Sequence, residues 1–241
     1  MSTVSGLAQA MVGTSLPPAF RRTIDWRIPT LLVAMAGVSI FFGSLNPYYL
    51  TVAHFFDMGR QASLLVAASI GATLVIVAEE IDLSVGAVVG LVSVAVATFF
   101  DYNLPAAVVI PLALGLGGVA GAANGFVTLG LRVPSFFATL GMMAILRGVA
   151  ILVSDQPRQI LDDTFASLFG GDFGGVPPAI VYSFGLVALT RLAWRYSRFG
   201  LRLRAVGSSL QSANFAGLPT QRIKFLVFVL AGCSLQLARC C

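Results

Sequence analysis

The chain alternates long apolar blocks with short polar breaks. Seven blocks stand out, at roughly 28–43, 62–78, 83–100, 104–130, 136–153, 178–194 and 223–238. A helix needs about 20 mostly apolar residues to cross the hydrocarbon core, and the blocks have or approach that length. Lipid offers no partner to an unpaired backbone group, so apolar blocks of this kind are predicted as helices. The pattern therefore predicts an all-α, polytopic transmembrane helix bundle of about seven spans. Gly115, Gly117, Gly118 and Gly121 crowd the fourth block. Small residues there let membrane helices approach closely.

Composition narrows the reading. Of 241 residues, 57% are hydrophobic and 10% charged, against about 25% charged in a soluble domain. That excludes a disordered region, a disulfide-knotted secreted domain and an ordinary soluble enzyme. The cysteines, Cys233, Cys240 and Cys241, fall in the last nine positions and make neither a disulfide framework nor a metal-ligand spacing. The net charge of +5 is expected to anchor inner loops rather than to bind nucleic acid. With a cytoplasmic N-terminus, Arg21, Arg22, Arg27, Arg132, Arg191, Arg195, Arg198, Arg202, Arg204, Arg222 and Lys224 all lie inside. Arg60 and Arg158 then lie outside, with Asp57, Asp101, Asp155, Asp162, Asp163 and Asp172. The expected division is a cytoplasmic tail at 1–27, without a cleavable leader, and a membrane domain at 28–241. The Gly- and Pro-rich stretch 154–177 reads as an exposed outer loop, and 195–222 as a long inner one.

Some chemistry is excluded outright. Lys224 is the only lysine and follows no glycine-rich loop, so the chain carries no P-loop of its own. His54 is the only histidine and reads as an interfacial residue. No metal site, bound cofactor or catalytic residue is expected.

Three features depart from plain apolar helix. In Glu79-Glu80-Ile81-Asp82-Leu83-Ser84-Val85-Gly86, three carboxylates stand between two spans almost without turn residues. A carboxylate near the bilayer core costs about 2.5–3.5 kcal/mol and faces protein or a wet cavity. Glu79 and Glu80 favour a solvated turn. Asp82 or Ser84 can cap the third span or shape a pathway. Second, Asn124-Gly125 places an amide inside an apolar run, where it can bond across helices. After it, Pro134 suits the first turn of a new span, Thr139 follows, and Arg147 lies well inside the span, needing a partner, water or a route to the surface. Third, within 195–222, Ser208 or Ser209 offers an N-cap, 210–216 can be helical, Gly217 suits C′, and Pro219 stops the run. Gly200, Arg204, Gly207, Leu210, Ala213, Phe215 and Gly217 mark this segment as a rigid projection suited to a partner.

Together these blocks resemble the inner-membrane permeases of ribose-type sugar ABC importers. The matching residues are Glu80-Ile81-Asp82-Leu83-Ser84-Val85-Gly86, Asn124-Gly125, Arg132-Val133-Pro134-Ser135-Phe136 with Thr139-Leu140-Gly141 and Arg147-Gly148, and Phe199-Gly200 with Ala205-Val206-Gly207 and Ala216-Gly217. They run in order from about Phe55 to Gly232. The resemblance implies a bacterial plasma-membrane subunit that pairs with a second permease copy, identical or not. It also implies a cytoplasmic ATP-binding subunit, which binds the ATP, and an extracytoplasmic sugar-binding protein. Asp82, Ser84, Gly86, Asn124, Gly125, Thr139 and Arg147 would then line the translocation pathway or hold its helices, and the segment around 210–217 would dock on the ATPase. Relatives often carry small residues at Glu79 and Glu80, Gly-Asn at Ser208-Ser209 and Ala-Arg at Asn214-Phe215, and continue with further spans where this chain ends at Arg239-Cys240-Cys241. A permease for a nucleoside or branched-chain amino acid, or a carrier relaying protons through Glu79, Glu80 or Asp82, is the alternative.

Overall fold

The computed structural model describes residues 26–154 and 175–239. Most of the expected tail 1–27, most of the expected outer loop 154–177, and Cys240 and Cys241 lie outside the described residues. The described residues contain no strand. They form α1 (Arg27–Leu45), a 3-10 turn (Pro47–Leu50), α2 (Val52–Val77), α3 (Val85–Asp101), α4 (Ala106–Gly125), a π-helical turn (Phe126–Gly130), α5 (Ser135–Val153), α6 (Pro178–Tyr196), α7 (Arg198–Ser208), α8 (Leu210–Phe215) and α9 (Thr220–Arg239). They divide between two units, one ending at Thr51 and one starting at Val52.

In the first unit α1 is apolar and unburied along its length. Asn46 Oδ1 accepts from the Tyr48 N–H at 3.0 Å and starts the 3-10 turn, with Pro47 supplying a fixed φ where no N–H is needed.

All seven expected blocks are helical. Among the described residues, four helices are long and apolar enough to cross a membrane, Ile28–Leu45, Val52–Val77, Ala106–Gly130 and Ser135–Val153, and Val85–Asp101 is a shorter apolar one. Helices α6 and α9 cover the sixth and seventh blocks with 19 and 20 residues. Each carries arginine or lysine at the end nearer 195–222, which lowers its mean hydropathy. The chain is thus an all-α polytopic bundle. Helix α2 starts ten residues before the expected boundary because its polar first turns are helical too. There Arg60 and Asp57 pair at 3.5 Å, three residues apart on the exposed face. The fourth block is not one regular helix. Its last turn widens, with the Leu131 N–H donating to Phe126 O at 3.3 Å, and Arg132 at φ 57° ends it. Pro134 occupies the position before α5 rather than its first turn, a shift of one residue within the usual uncertainty of helix ends.

Two apolar clusters hold the second unit. One joins α3, α4 and α5 through Val88, Val92, Val109, Ala113 and Leu146. The other joins the end of α2 to α7, α8 and α9 through Val75, Leu203, Val206, Ala213, Val227 and Phe228. Between them runs the seam of α4 and α9. Gly117, Gly121 and Gly125 recur every fourth residue on α4. A Cβ on Gly121 would strike the Phe228 carbonyl, and one on Gly232 would strike the Gly117 carbonyl. The two backbones therefore touch, the arrangement small residues permit where lipid removes a hydrophobic drive for association.

Candidate functional site

The segment between α2 and α3 is built by its own hydrogen bonds. Helix α2 closes with Glu79 N–H donating to Ile76 O at 3.0 Å and Glu80 N–H donating to Val75 O at 3.1 Å. This is a Schellman ending, with Glu79 in the left-handed position at φ 60°. Glycine normally stands there, and a side-chain-bearing residue costs about 1–2 kcal/mol. This is how the chain turns without glycine or proline.

The next residues are extended, and side chains satisfy their backbone. Ile81 N–H donates to Ser135 Oγ at 3.1 Å. Ser84 N–H donates to Asp82 Oδ1 at 2.8 Å, and the Ser84 hydroxyl donates to the same oxygen at 2.7 Å. Asn124 Nδ2 donates to Ser84 Oγ at 2.7 Å, across 40 residues of sequence. The relay fixes its own polarity. A carboxylate only accepts, so the single Ser84 hydroxyl proton goes to Asp82, and Asn124 must present its amine. Thr139 donates to Ser135 O at 2.8 Å, and its oxygen lies 3.3 Å from Ile81 O. Ser84 and Thr139 are 0% exposed and Asn124 1%. Four of the expected site residues, Asp82, Ser84, Asn124 and Thr139, thus converge on one turn, with Ser135 added.

Asp82 does not cap α3. It closes a turn onto Ser84, and Ser84, which precedes the helix, makes no capping bond with its own side chain. Asn124 Oδ1 and Thr128 Oγ1 are buried and find no hydrogen-bond partner among the described residues. They sit four residues apart, one turn of the α4–π segment. Gly125 packs against the Phe225 ring, 2.9 Å from where a Cβ would lie. Gly86 and Arg147 are not in the cluster. Both are exposed, and a Cβ on Gly86 would meet nothing within 4 Å.

The sequence reading missed one contact entirely. Lys224 Nζ donates to Glu80 Oε1 at 2.7 Å, with side chains only 9% and 14% exposed. Glu80 is therefore not in a freely solvated turn. The pair spans 144 positions. The only sequence signal was that a chain with one lysine sets it at the mouth of an apolar helix.

The 195–222 segment carries two helices. The expected short one is α8. Ser209 Oγ accepts from Ser212 N–H at 3.2 Å. Gly217, at φ 73°, closes the helix as Leu218 N–H donates to Ala213 O at 3.1 Å. Before it lies α7, capped by Ser197 Oγ on Gly200 N–H at 3.0 Å. Gly200 lies against the Trp194 carbonyl and Gly207 against the Val77 carbonyl. Leu210 and Ala213 pack inward. Arg204 is exposed, and Phe215 is 84% exposed. Only these last two of the expected docking residues present large side chains outward.

Glu80 to Lys224, Ile81 to Ser135 and Gly207 to Val77 bring the 79–84, 131–134 and 195–222 segments to one end of the second unit. That is where alternating spans would put them, and it is the arginine-rich end. No group of three or more His, Cys, Asp or Glu side chains among the described residues could hold a metal ion.

Residues 55–238 match the family described as the branched-chain amino acid transport system permease component. The chain belongs to this family. The match covers the 79–84 turn, Asn124, Thr139 and the whole of α7 and α8. Among similar proteins, the ribose import permease protein RbsC of Escherichia coli is 34% identical over 215 residues, 86% of this chain and 65% of that protein. The autoinducer 2 import system permease protein LsrC of Klebsiella pneumoniae is 35% identical over 213 residues, 86% of this chain and 60% of that protein. A probable ABC transporter permease protein, YphD of Escherichia coli, is 33% identical over 203 residues, 84% of this chain and 61% of that protein. The chain thus spans just under two thirds of the length of these permeases. No solved structure matches it.

Proposed function

We propose that this permease-family chain is the membrane subunit of an ATP-driven importer for a monosaccharide, a ribose-, xylose- or galactose-like aldose, in a bacterial plasma membrane. The observation that carries the reading is the 34% identity to a ribose import permease along 86% of the chain. The chain performs no covalent chemistry. ATP is bound and hydrolysed on a cytoplasmic partner subunit, solute arrives from an extracytoplasmic binding protein, and a second permease copy completes the conduit. A permease must hold its helices in register while they rock. The Asp82–Ser84–Asn124 relay and the Ser135 and Thr139 contacts give α3, α4 and α5 a common pin for that purpose. Gly86 and Arg147, outside the pin, are left to the pathway or to faces turned to other helices. Helix α8 with Phe215 outward, beside Arg204 outward on α7, is the surface that meets the ATPase.

The test is uptake by vesicles carrying the assembled complex, against a panel of labelled aldoses. The expected result is accumulation of at least one aldose that stops on ATP depletion and survives collapse of the proton gradient. Uptake indifferent to ATP but lost with the gradient would overturn the importer reading in favour of a proton-coupled carrier.

A further inference from the structure

The Glu80–Lys224 pair is placed where neither residue helps its own helix. Lys224 is the fifth residue of α9, near its positive end, and Glu80 follows α2 at its negative end. A macrodipole disfavours each charge there. Both are nearly dry, and a buried pair contributes little net stability over an apolar replacement. Helix stability therefore does not account for the pair. Its position between elements does.

On one side, Thr220 and Lys224 lie four residues apart, on one face of α9. Thr220 Oγ1 donates to Asn214 Oδ1 of α8 at 2.8 Å, and the Leu218 N–H, between the helices, donates to Ala213 O of α8. A shift of α8 thus moves the start of α9. On the other side, Glu80 stands one residue after the left-handed Glu79 and two before Asp82, whose carboxylate holds Ser84 and, through it, Asn124. Gly207 meanwhile clamps the end of α2 at Val77. The residues free to respond are those just past that clamp.

We propose that the Glu80–Lys224 ion pair is the positioning link through which displacement of α8 reaches the Glu79–Ser84 turn and the relay it carries. This rests on the importer reading, in which α8 is the face that the ATPase moves. The pair holds the turn in register with α9, so the pin between α3, α4 and α5 follows α9. Without the charges α9 slides past the turn, and ATP is hydrolysed without solute crossing.

The experiment measures solute moved per ATP hydrolysed, in vesicles carrying the assembled complex. Lys224→Met and Glu80→Gln each remove one charge at nearly constant shape. Lys224→Arg keeps it, and the exchanged pair Glu80→Lys with Lys224→Glu reverses it. Each single neutral variant is expected to keep ATP hydrolysis while the transport ratio falls on the order of tenfold, and the exchanged pair to recover to within about threefold of the unaltered chain. Lys224→Arg should stay near the unaltered ratio. A residue that only supported the fold would lower assembly and ATP hydrolysis together and leave the ratio alone. An unaltered ratio in Lys224→Met, or an exchanged pair that assembles yet transports no better than the singles, overturns the proposal. Where Lys224→Met does not assemble, Glu80→Gln and the exchanged pair decide by the same criterion. An unaltered chain whose uptake ignores ATP would instead fail the importer reading itself, and that outcome is read before any variant is made.

Discussion

The α4–α9 seam makes a graded prediction, because three glycines of the chain face three different kinds of neighbour. At Gly90, inside α3, a Cβ meets nothing within 4 Å. Gly90→Ala should therefore show only the gain in helix propensity, about 1 kcal/mol. At Gly125 the added carbon would sit 2.9 Å from the edge of the Phe225 ring. The end of a side chain can turn aside, so Gly125→Ala should come out near neutral. At Gly121 the obstacle is the Phe228 carbonyl with its carbon at 2.9 Å, and backbone cannot turn aside. The helices must part, and overpacking of that kind costs up to about 3 kcal/mol. Against the propensity gain of about 1 kcal/mol, Gly121→Ala should lose about 2 kcal/mol net. The span from Gly90→Ala to Gly121→Ala is then about 3 kcal/mol, on the order of a hundredfold in the unfolding equilibrium. The assay is reversible unfolding in mixed micelles, followed by circular dichroism, with the three variants in parallel. The predicted order of stability is Gly90→Ala, then Gly125→Ala, then Gly121→Ala. Equal stabilities for the first and last would mean that α4 and α9 do not touch along their backbones, and the seam would be wrong.

The relay and α8 yield three further expectations. Asp82→Ala strips the acceptor from both the Ser84 N–H and its hydroxyl in a dry setting, and should cost about 3 kcal/mol in the same micelle assay. Asn124→Leu loses one neutral hydrogen bond but also removes the partnerless Oδ1, so its stability should stay within about 1 kcal/mol of the unaltered chain; a loss as large as that of Asp82→Ala would mean that Oδ1 is engaged. On α8, a single cysteine at the exposed Phe215 should cross-link to the ATP-binding subunit in the assembled complex, while one at the buried Ala213 should not. Equal capture at both, or at neither, would place the partner elsewhere.

What the sequence made legible was set by the range over which each feature is decided. Long apolar runs fix a helix locally, so all seven blocks are helical in the structure. The cap at Ser209 and the left-handed Gly217 involve bonds within a few residues, and α8 lies where those letters put it. Helix α7 was missed because Arg198, Arg202 and Arg204 read as an anchor, and its buried stripe of Gly200, Leu203 and Val206 is too short to announce a period. The Glu79–Glu80 turn was legible as a turn. Its mechanism was not, since a Schellman ending ordinarily advertises itself with glycine.

Nonlocal features stayed hidden for a different reason. Gly86 and Gly121 are the same letter in similarly apolar surroundings, yet one faces open space and the other a carbonyl. Nothing in the residues around either one encodes the helix that arrives opposite. Asn124 could be read as a bonding amide, because an amide in a span must find something. That it would find Ser84, already committed to Asp82, depends on how three segments meet. The same holds for Lys224. A lone lysine at the mouth of an apolar helix advertises a missing anion, but any of the chain's ten carboxylates could have supplied one. The fold selects Glu80 because α9 returns beside the end of α2, and α9 returns there because Gly121 and Gly232 let it lie flat on α4. The placement of the charge pair is therefore a consequence of the glycine seam. Widening the seam at Gly121 should loosen Lys224 from Glu80 although neither residue has been touched, which makes the two structural claims testable against each other in one variant.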